Sequence, residues 1–258
     1  TFPTQTMALN SHSTIYETIG HGYAKRRQPD PRIAHAIQAA LGNAMTVCNV
    51  GAGAGSYEPS DRTVTAVEPS QTMIDQRTSS CRVICSSAEN LPFADSEFHA
   101  AMAILSVHHW TNPRKGLAEM IRISNRQVVF TFDPSQLDSL GLVRDYLPEI
   151  IEFERGRALP VEVIADCLGA AQITEVPIPH DCTDGFQAAY WRRPELYLEA
   201  DVQATISTLA QLPPSIISPA LNKLRSDLES GAWHKRYSHL LTEESMDFGY
   251  RIIVADKH

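Results

Sequence analysis

The chain has 258 residues, of which 43% are hydrophobic and 20% charged, a composition that supports a sizeable core and excludes a disordered chain. Lys and Arg number 22 against 30 Asp and Glu, giving a net charge of −8 with no long basic run. That balance argues against gripping nucleic acid or an anionic membrane.

No apolar run reaches the length of a membrane span, and the opening TFPTQT lacks the basic and apolar regions of a signal peptide. A cytoplasmic location is expected. The five cysteines are odd in number and form no CxxC pair, which points to reduced thiols and to no metal site.

Short apolar runs rich in β-branched residues alternate with helical patterns, which predicts βαβ units and a parallel sheet. Residues 30–41 read as a helix, with Asp30 as N-cap, Pro31 in the first turn and Ile33, Ile37 and Leu41 on one face. A strand at 46–50 runs into GAGAG at 51–55. A second strand at 63–67 ends at Glu68 and Pro69, followed by a short helix around 70–76 and a third strand at 82–85. After the loop 86–98 comes an almost wholly apolar strand at 100–105, ending in SVHHW at 106–110. A helix at 113–124 and a strand at 127–132 complete the regular part.

The rhythm then breaks. Residues 135–159 read as an insertion with one helix near 142–151; a helix at 161–168 and a strand at 173–177 resume the sheet. Residues 181–247 are mostly helical, and the run 250–254 is a late strand that can only return to the sheet. The expected organisation is a core of 7–180 plus 248–258, with 181–247 as a helical cap over the carboxyl ends of the strands. Open α/β sheets bind ligands there.

Gly51, Gly53 and Gly55 follow the first strand, where a glycine turn lets a ligand approach the backbone. The spacing is G-x-G-x-G, not the dinucleotide G-x-G-x-x-G. Glu68 ends the next strand, where an acid accepts hydrogen bonds from both ribose hydroxyls. Turn and acid together favour a nucleoside cofactor, either a nicotinamide dinucleotide or S-adenosylmethionine.

The motifs VEPSQTM (67–73), SSAENLPFADSEF (86–98) and ILSVHHW (104–110), in that order, resemble class I S-adenosylmethionine-dependent methyltransferases, closest to the branch of the ubiquinone and menaquinone biosynthesis enzymes. The resemblance covers roughly residues 14–134. It implies a Rossmann-like, mostly parallel seven-stranded sheet of order 3-2-1-4-5-7-6 with helices on both faces. The activity implied is transfer of the methyl group of S-adenosyl-L-methionine to a small-molecule acceptor, with S-adenosyl-L-homocysteine as product. By the same resemblance, Gly51, Ala52 and Gly53 pass beneath the methionine and ribose, and Glu68 holds the ribose. Pro69, Met73, Ser87, Ala88 and Glu89 surround the adenine. Leu105 and Ser106 back the methionine part, and Tyr16, Tyr23 and Arg27 match an N-terminal element that folds over the cofactor. Asn49, Ser87 and His99 depart from the family's usual acids.

His108 and His109 stand beside the expected methyl group as candidate general bases or acceptor-orienting groups. The segment 179–198 is dense in aromatics. It offers Phe186 and Tyr190 for an acceptor pocket, with His180 and Asp181 in reach, while Trp191 is expected in the cap's own core. No nucleic-acid or membrane partner is expected, and the chain would act as a monomer or homodimer. Two alternatives stay open: a nicotinamide-dependent oxidoreductase, and a nucleoside-cofactor-binding protein without activity.

Overall fold

Asp30 accepts a hydrogen bond from the Arg32 amide and so caps helix α1 (Pro31–Leu41), with Pro31 in the first turn, where no amide donor is needed. Ile33, Ile37 and Leu41 are the buried residues of that helix. In the computed structural model, which describes residues 26–169 and 172–257, α1 lies on one face of a seven-stranded sheet. The regular part continues with β1 (Thr46–Val50), β2 (Thr63–Val67), α2 (Gln71–Asp75), β3 (Arg82–Ile84) and β4 (Phe98–Ile104). It ends with α3 (Pro113–Ile123) and β5 (Ser124–Phe132). Strand β5 starts where α3 stops, earlier than the apolar pattern suggests. The Ser124 hydroxyl donates to the Met120 and Arg126 carbonyls, so the chain turns from helix to strand without a loop.

Two short helices, α4 (Gly141–Asp145) and α5 (Glu149–Arg155), replace the single helix expected at 142–151. Pro148 has no amide hydrogen and disfavours helical geometry at Leu147, so the helix breaks there. Then come α6 (Val161–Leu168), β6 (Gln172–Glu175) and β7 (Ile178–Pro179). The cap helices are α7 (Ala200–Thr205), α8 (Ser207–Gln211), α9 (Pro214–Glu229) and α10 (Ala232–Arg236). The chain closes with β8 (Ser245–Met246) and β9 (Tyr250–Asp256).

The main sheet has the order β3-β2-β1-β4-β5-β9-β6, with β9 antiparallel to both neighbours. Counting only its own strands, this is the order 3-2-1-4-5-7-6. Side chains alternate between its faces. Met102, Val128 and Phe130 point to the α1 side, whereas Ala101, Ala103 and Val129 pack under α3 and α6. Residues of 181–247, among them Trp191, Tyr197, Leu224 and Trp233, extend the α1-side cluster without a break. Strands β7 and β8 pair at the foot of this segment, Ile178 opposite Met246 and Pro179 opposite Ser245.

The parallel strands β1, β2, β4 and β5 end along one edge. Tyr250, the first residue of β9, stands opposite Phe132 at that edge. The glycine turn, Glu68 and residues 105–110 therefore converge with Phe132 and Tyr250.

Candidate functional site

The glycine turn is held by its own backbone and by Glu68. The Gly51 and Ala52 amides both donate to the Val67 carbonyl, at 2.9 and 3.0 Å. The Gly53 amide donates to Glu68 Oε2 at 2.8 Å, and the Ser70 amide donates to Glu68 Oε1 at 2.9 Å. Glu68 is buried; burial pushes its carboxyl up, and the two amides pull it back. Gly51 has φ +70°, and a Cβ there would stand 2.8 Å from the Ser106 Cβ, so only glycine fits without moving the end of β4.

Beneath the turn lies a buried ion pair. Arg77 donates to both oxygens of Glu58, at 2.6 and 2.7 Å, and to the Gly53 carbonyl at 3.0 Å. Asn49 Nδ2 donates to Glu58 Oε1 at 2.9 Å, while Asn49 Oδ1 is buried without a partner among the described residues. A carboxylate thus stands next to Asn49, at the position where the family usually has an acid.

Above these residues opens a cleft of roughly 1230 Å³, its mouth included. Arg27, Gly51, Ala52, Gly53, Glu68, Pro69, Met73, Ser87, Ala88, Glu89, Leu105 and Ser106 all line it. Tyr16 and Tyr23 lie outside the described residues. The cleft also takes in Asn49, Tyr57, His109 and Trp110. Tyr57 gave no sequence signal: its hydroxyl donates to Asp184 at 2.9 Å, a partner far along the chain. His99 is at the amino end of β4, hydrogen-bonded to Thr46 at 2.9 Å, and so bears on nothing in the cleft.

A second pocket, of about 550 Å³, adjoins the first. It shares Arg27, Leu105 and His109 with it and adds His108, Phe132, Glu154, Phe186, Gln187, Thr205, Thr208 and Tyr250. Leu105 divides the two spaces in a left-handed conformation, φ +49°, a strained state for a branched residue. Arg27 Nε donates to Asp184 Oδ1 at 2.5 Å, and the two residues form a β-bridge, fastening the approach to α1 onto the cap. The Arg27 guanidinium therefore carries a buried carboxylate of its own.

Of the four residues expected to meet the acceptor, only Phe186 lines this pocket. The Asp181 carboxylate pairs with Arg32 at 2.8 Å on the exposed side of α1, and His180 stands 3.4 Å from Glu244. Both follow β7, which turns away from the sheet edge. Tyr190 is buried but packs edge-on against Tyr197, at 5.6 Å between ring centres, and lines neither space. Trp191 is a core residue: its Nε1 donates to the Ile178 and Pro179 carbonyls, both at 3.2 Å, and its ring lies against Phe248.

The His108 and His109 rings lie against each other, tilted by 46° with centres 3.9 Å apart, and both border the second pocket. Arg157 Nη2 lies 3.0 Å from His109 Nδ1. An arginine N–H can only donate, so Nδ1 accepts and the neutral His109 ring carries its proton on Nε2. The Nδ1 lone pair is thereby occupied, which removes His109 as a base at that atom. No group of three or more metal-ligating side chains occurs among the described residues.

A parallel sheet whose carboxyl edge carries a glycine turn, a buried strand-end acid and a roofed cleft defines a nucleoside-binding α/β enzyme. Residues 48–132 match the family model of a methyltransferase domain. A crystal structure described as a methyltransferase from an antibiotic biosynthesis pathway of Anabaena variabilis ATCC 29413 superposes with a TM-score of 0.84. It shares 33% sequence identity, over 90% of this chain and 99% of that one. A Thermotoga maritima protein described as a methyltransferase dependent on S-adenosylmethionine, and as a possible histamine N-methyltransferase, shares the fold. Its TM-score is 0.57 at 16% identity, over 95% of this chain and 99% of that one. So does the geranyl diphosphate C-methyltransferase of Streptomyces coelicolor A3(2), with a TM-score of 0.51 at 15% identity, over 88% and 78%. No curated protein matches the sequence. The chain belongs to the class I S-adenosylmethionine-dependent methyltransferases.

Proposed function

We propose that this methyltransferase modifies a small molecule held in the pocket beneath residues 181–247, with the cofactor in the cleft above the glycine turn. The observation that carries this reading is the junction of two spaces at Leu105, Arg27 and His109. S-adenosylmethionine, when bound, supplies an electrophilic methyl carbon; what the chain contributes is binding, alignment and exclusion of water. Glu68 would accept hydrogen bonds from the ribose with the lone pairs not used by the Gly53 and Ser70 amides. Asn49 Oδ1 would accept from the cofactor ammonium, with its Nδ2 held by Glu58 so that the oxygen stays free to accept. Pro69, Met73, Ser87, Ala88 and Glu89 would border the adenine.

On the acceptor side, Phe186, Phe132 and Tyr250 offer an apolar bed, and His108 and His109 orient the reacting group. The cap closes over them. A small natural product is the acceptor class in keeping with the antibiotic-pathway setting of the Anabaena relative. The five cysteines are free, which fits a reducing, cytoplasmic setting. Among the described residues no helix is long and apolar enough to cross a membrane.

Calorimetric titration tests the reading. S-adenosylhomocysteine should bind with micromolar affinity and NAD should not bind; the reverse result would restore the oxidoreductase alternative.

A further inference from the structure

The second pocket contains a carboxylate that the sequence motifs do not touch. Glu154 closes helix α5 from the insertion after β5, and its side chain is only 2% exposed. It lines the pocket together with His108, His109 and Phe186. Its Oε2 is buried and has no hydrogen-bond partner among the described residues. The nearest cation, Arg157, has its Nη1 3.9 Å from Oε1, too far for a hydrogen bond. Burial pushes the Glu154 carboxyl up to about 7, against the pull of Arg157. A buried carboxylate oxygen left without a donor is costly, so a donor from water or from an entering ligand is expected there.

The charges around the pocket identify that donor. Arg157 offsets Glu154, and Arg27 is offset by Asp184, so the pocket is close to neutral. A cationic acceptor would meet the Arg27 guanidinium, and an anionic one would meet Glu154. The rings of Phe132, Phe186 and Tyr250 form the apolar wall, with Phe186 and Tyr250 4.8 Å apart between centres. His109 cannot serve at Nδ1, because Arg157 donates there.

We propose that Glu154 is the specificity-determining residue of the acceptor pocket, accepting a hydrogen bond from the hydroxyl of a neutral acceptor with a flat, apolar body. The proposal rests on the methyltransferase reading and adds to it the chemical class of the acceptor.

The test uses the full chain saturated with S-adenosylhomocysteine and phenol, anisole, benzylamine and benzoate as probes, with affinities read by ligand-observed NMR at pH 7.5. Phenol should bind about tenfold tighter than anisole, which has the same ring but no donor, and tighter than either charged probe. In Glu154→Gln, a change that keeps the shape and lowers the accepting strength, the preference for phenol should shrink to about threefold or less. Equal binding of phenol and anisole overturns the proposal, as does no measurable phenol binding, tightest binding of benzylamine or benzoate, or an undiminished preference in the variant. If the parent protein does not bind S-adenosylhomocysteine at all, the methyltransferase reading itself fails, and this inference with it.

Discussion

The two spaces at the sheet edge hold their carboxylates in opposite ways. In the cofactor cleft the carboxylates are bonded: Glu68 holds two turn amides and Glu58 holds Arg77 and Asn49, although Asn49 Oδ1 and Trp110 Nε1 keep no partner among the described residues. In the acceptor pocket Glu154 and Arg157 lie close without bonding, and both keep buried atoms without partners among the described residues. The first is a preorganised mould. The second reserves polar capacity for whatever enters. Binding that needs one fixed cofactor favours preorganisation, whereas choosing among acceptors needs an unspent donor or acceptor.

Four experiments press on that contrast. The largest effect is expected in the cap core, outside both spaces. Trp191→Ala should cost ~3–5 kcal/mol of stability, seen in denaturant melts, with S-adenosylhomocysteine affinity unchanged in the folded fraction. Tyr190→Ala should behave likewise; a specific loss of acceptor binding with normal stability would put Tyr190 back in the pocket.

Glu68→Ala comes next. Removing its charge-assisted hydrogen bonds should weaken S-adenosylhomocysteine binding by ~2–4 kcal/mol, roughly thirtyfold to a thousandfold in a calorimetric titration. Part of that loss should come from a loosened turn, since the Gly53 and Ser70 amides lose their acceptor, so faster amide exchange at Gly53 is expected as well. Wild-type affinity in this variant would remove Glu68 from the cofactor site.

Glu154→Gln should stabilise the protein, and in a pH-dependent way. The folded carboxyl is raised to about 7 from its ordinary 4.5, so the folded state binds the extra proton between those values. Stability therefore falls as pH rises through that window, and above about 7 the full cost of burying the charge is present. The variant escapes the cost. It should be more stable than the parent by ~1–3 kcal/mol at pH 8 and equal to it near pH 4, as read from melting curves. A variant less stable than the parent at pH 8 would show that the pair with Arg157 outweighs the burial of Glu154.

The smallest effect is expected at the exposed pairs that follow β7. His180→Ala and Asp181→Asn should change neither probe binding nor stability by more than ~1 kcal/mol, the range of an exposed ion pair.

The contrast also explains what could be read without coordinates. The cofactor cleft is made of chain turns that follow strands in order, and its demands are local. Gly51 must be glycine because its φ is positive and Ser106 stands close. Glu68 must be an acid because its two oxygens each accept a turn amide, from Gly53 and from Ser70. Such requirements leave a mark at fixed offsets in the sequence. The sheet order was legible through the same motifs.

The acceptor pocket draws on segments far apart in the chain. Glu154 and Arg157, three residues apart, carry no motif that marks them, and only tertiary packing buries them. His180 and Asp181 looked well placed because they follow a strand. The strand expected there, 173–177, is β6, and between it and His180 the chain enters the unexpected short β7, paired with β8 outside the main sheet. The one helix expected near 142–151 is two, α4 and α5, because Pro148 interrupts it.

The ribbon of β7 and β8 has a consequence for how such a protein can change. Residues 180–244 leave and re-enter the core through two hydrogen-bonded neighbours, so their ends are already joined by the time the segment begins. To the sheet the whole cap is one closed loop, and the entropy of closing a loop grows only with the logarithm of its length. Doubling the segment would cost about 0.6 kcal/mol. Lengthening or trimming the segment beyond the residues that pack on the core, such as Asp184, Phe186 and Trp191, leaves the strand register, the glycine turn and Glu68 where they are. One methyl-donating base can in this way be refitted for acceptors of very different size.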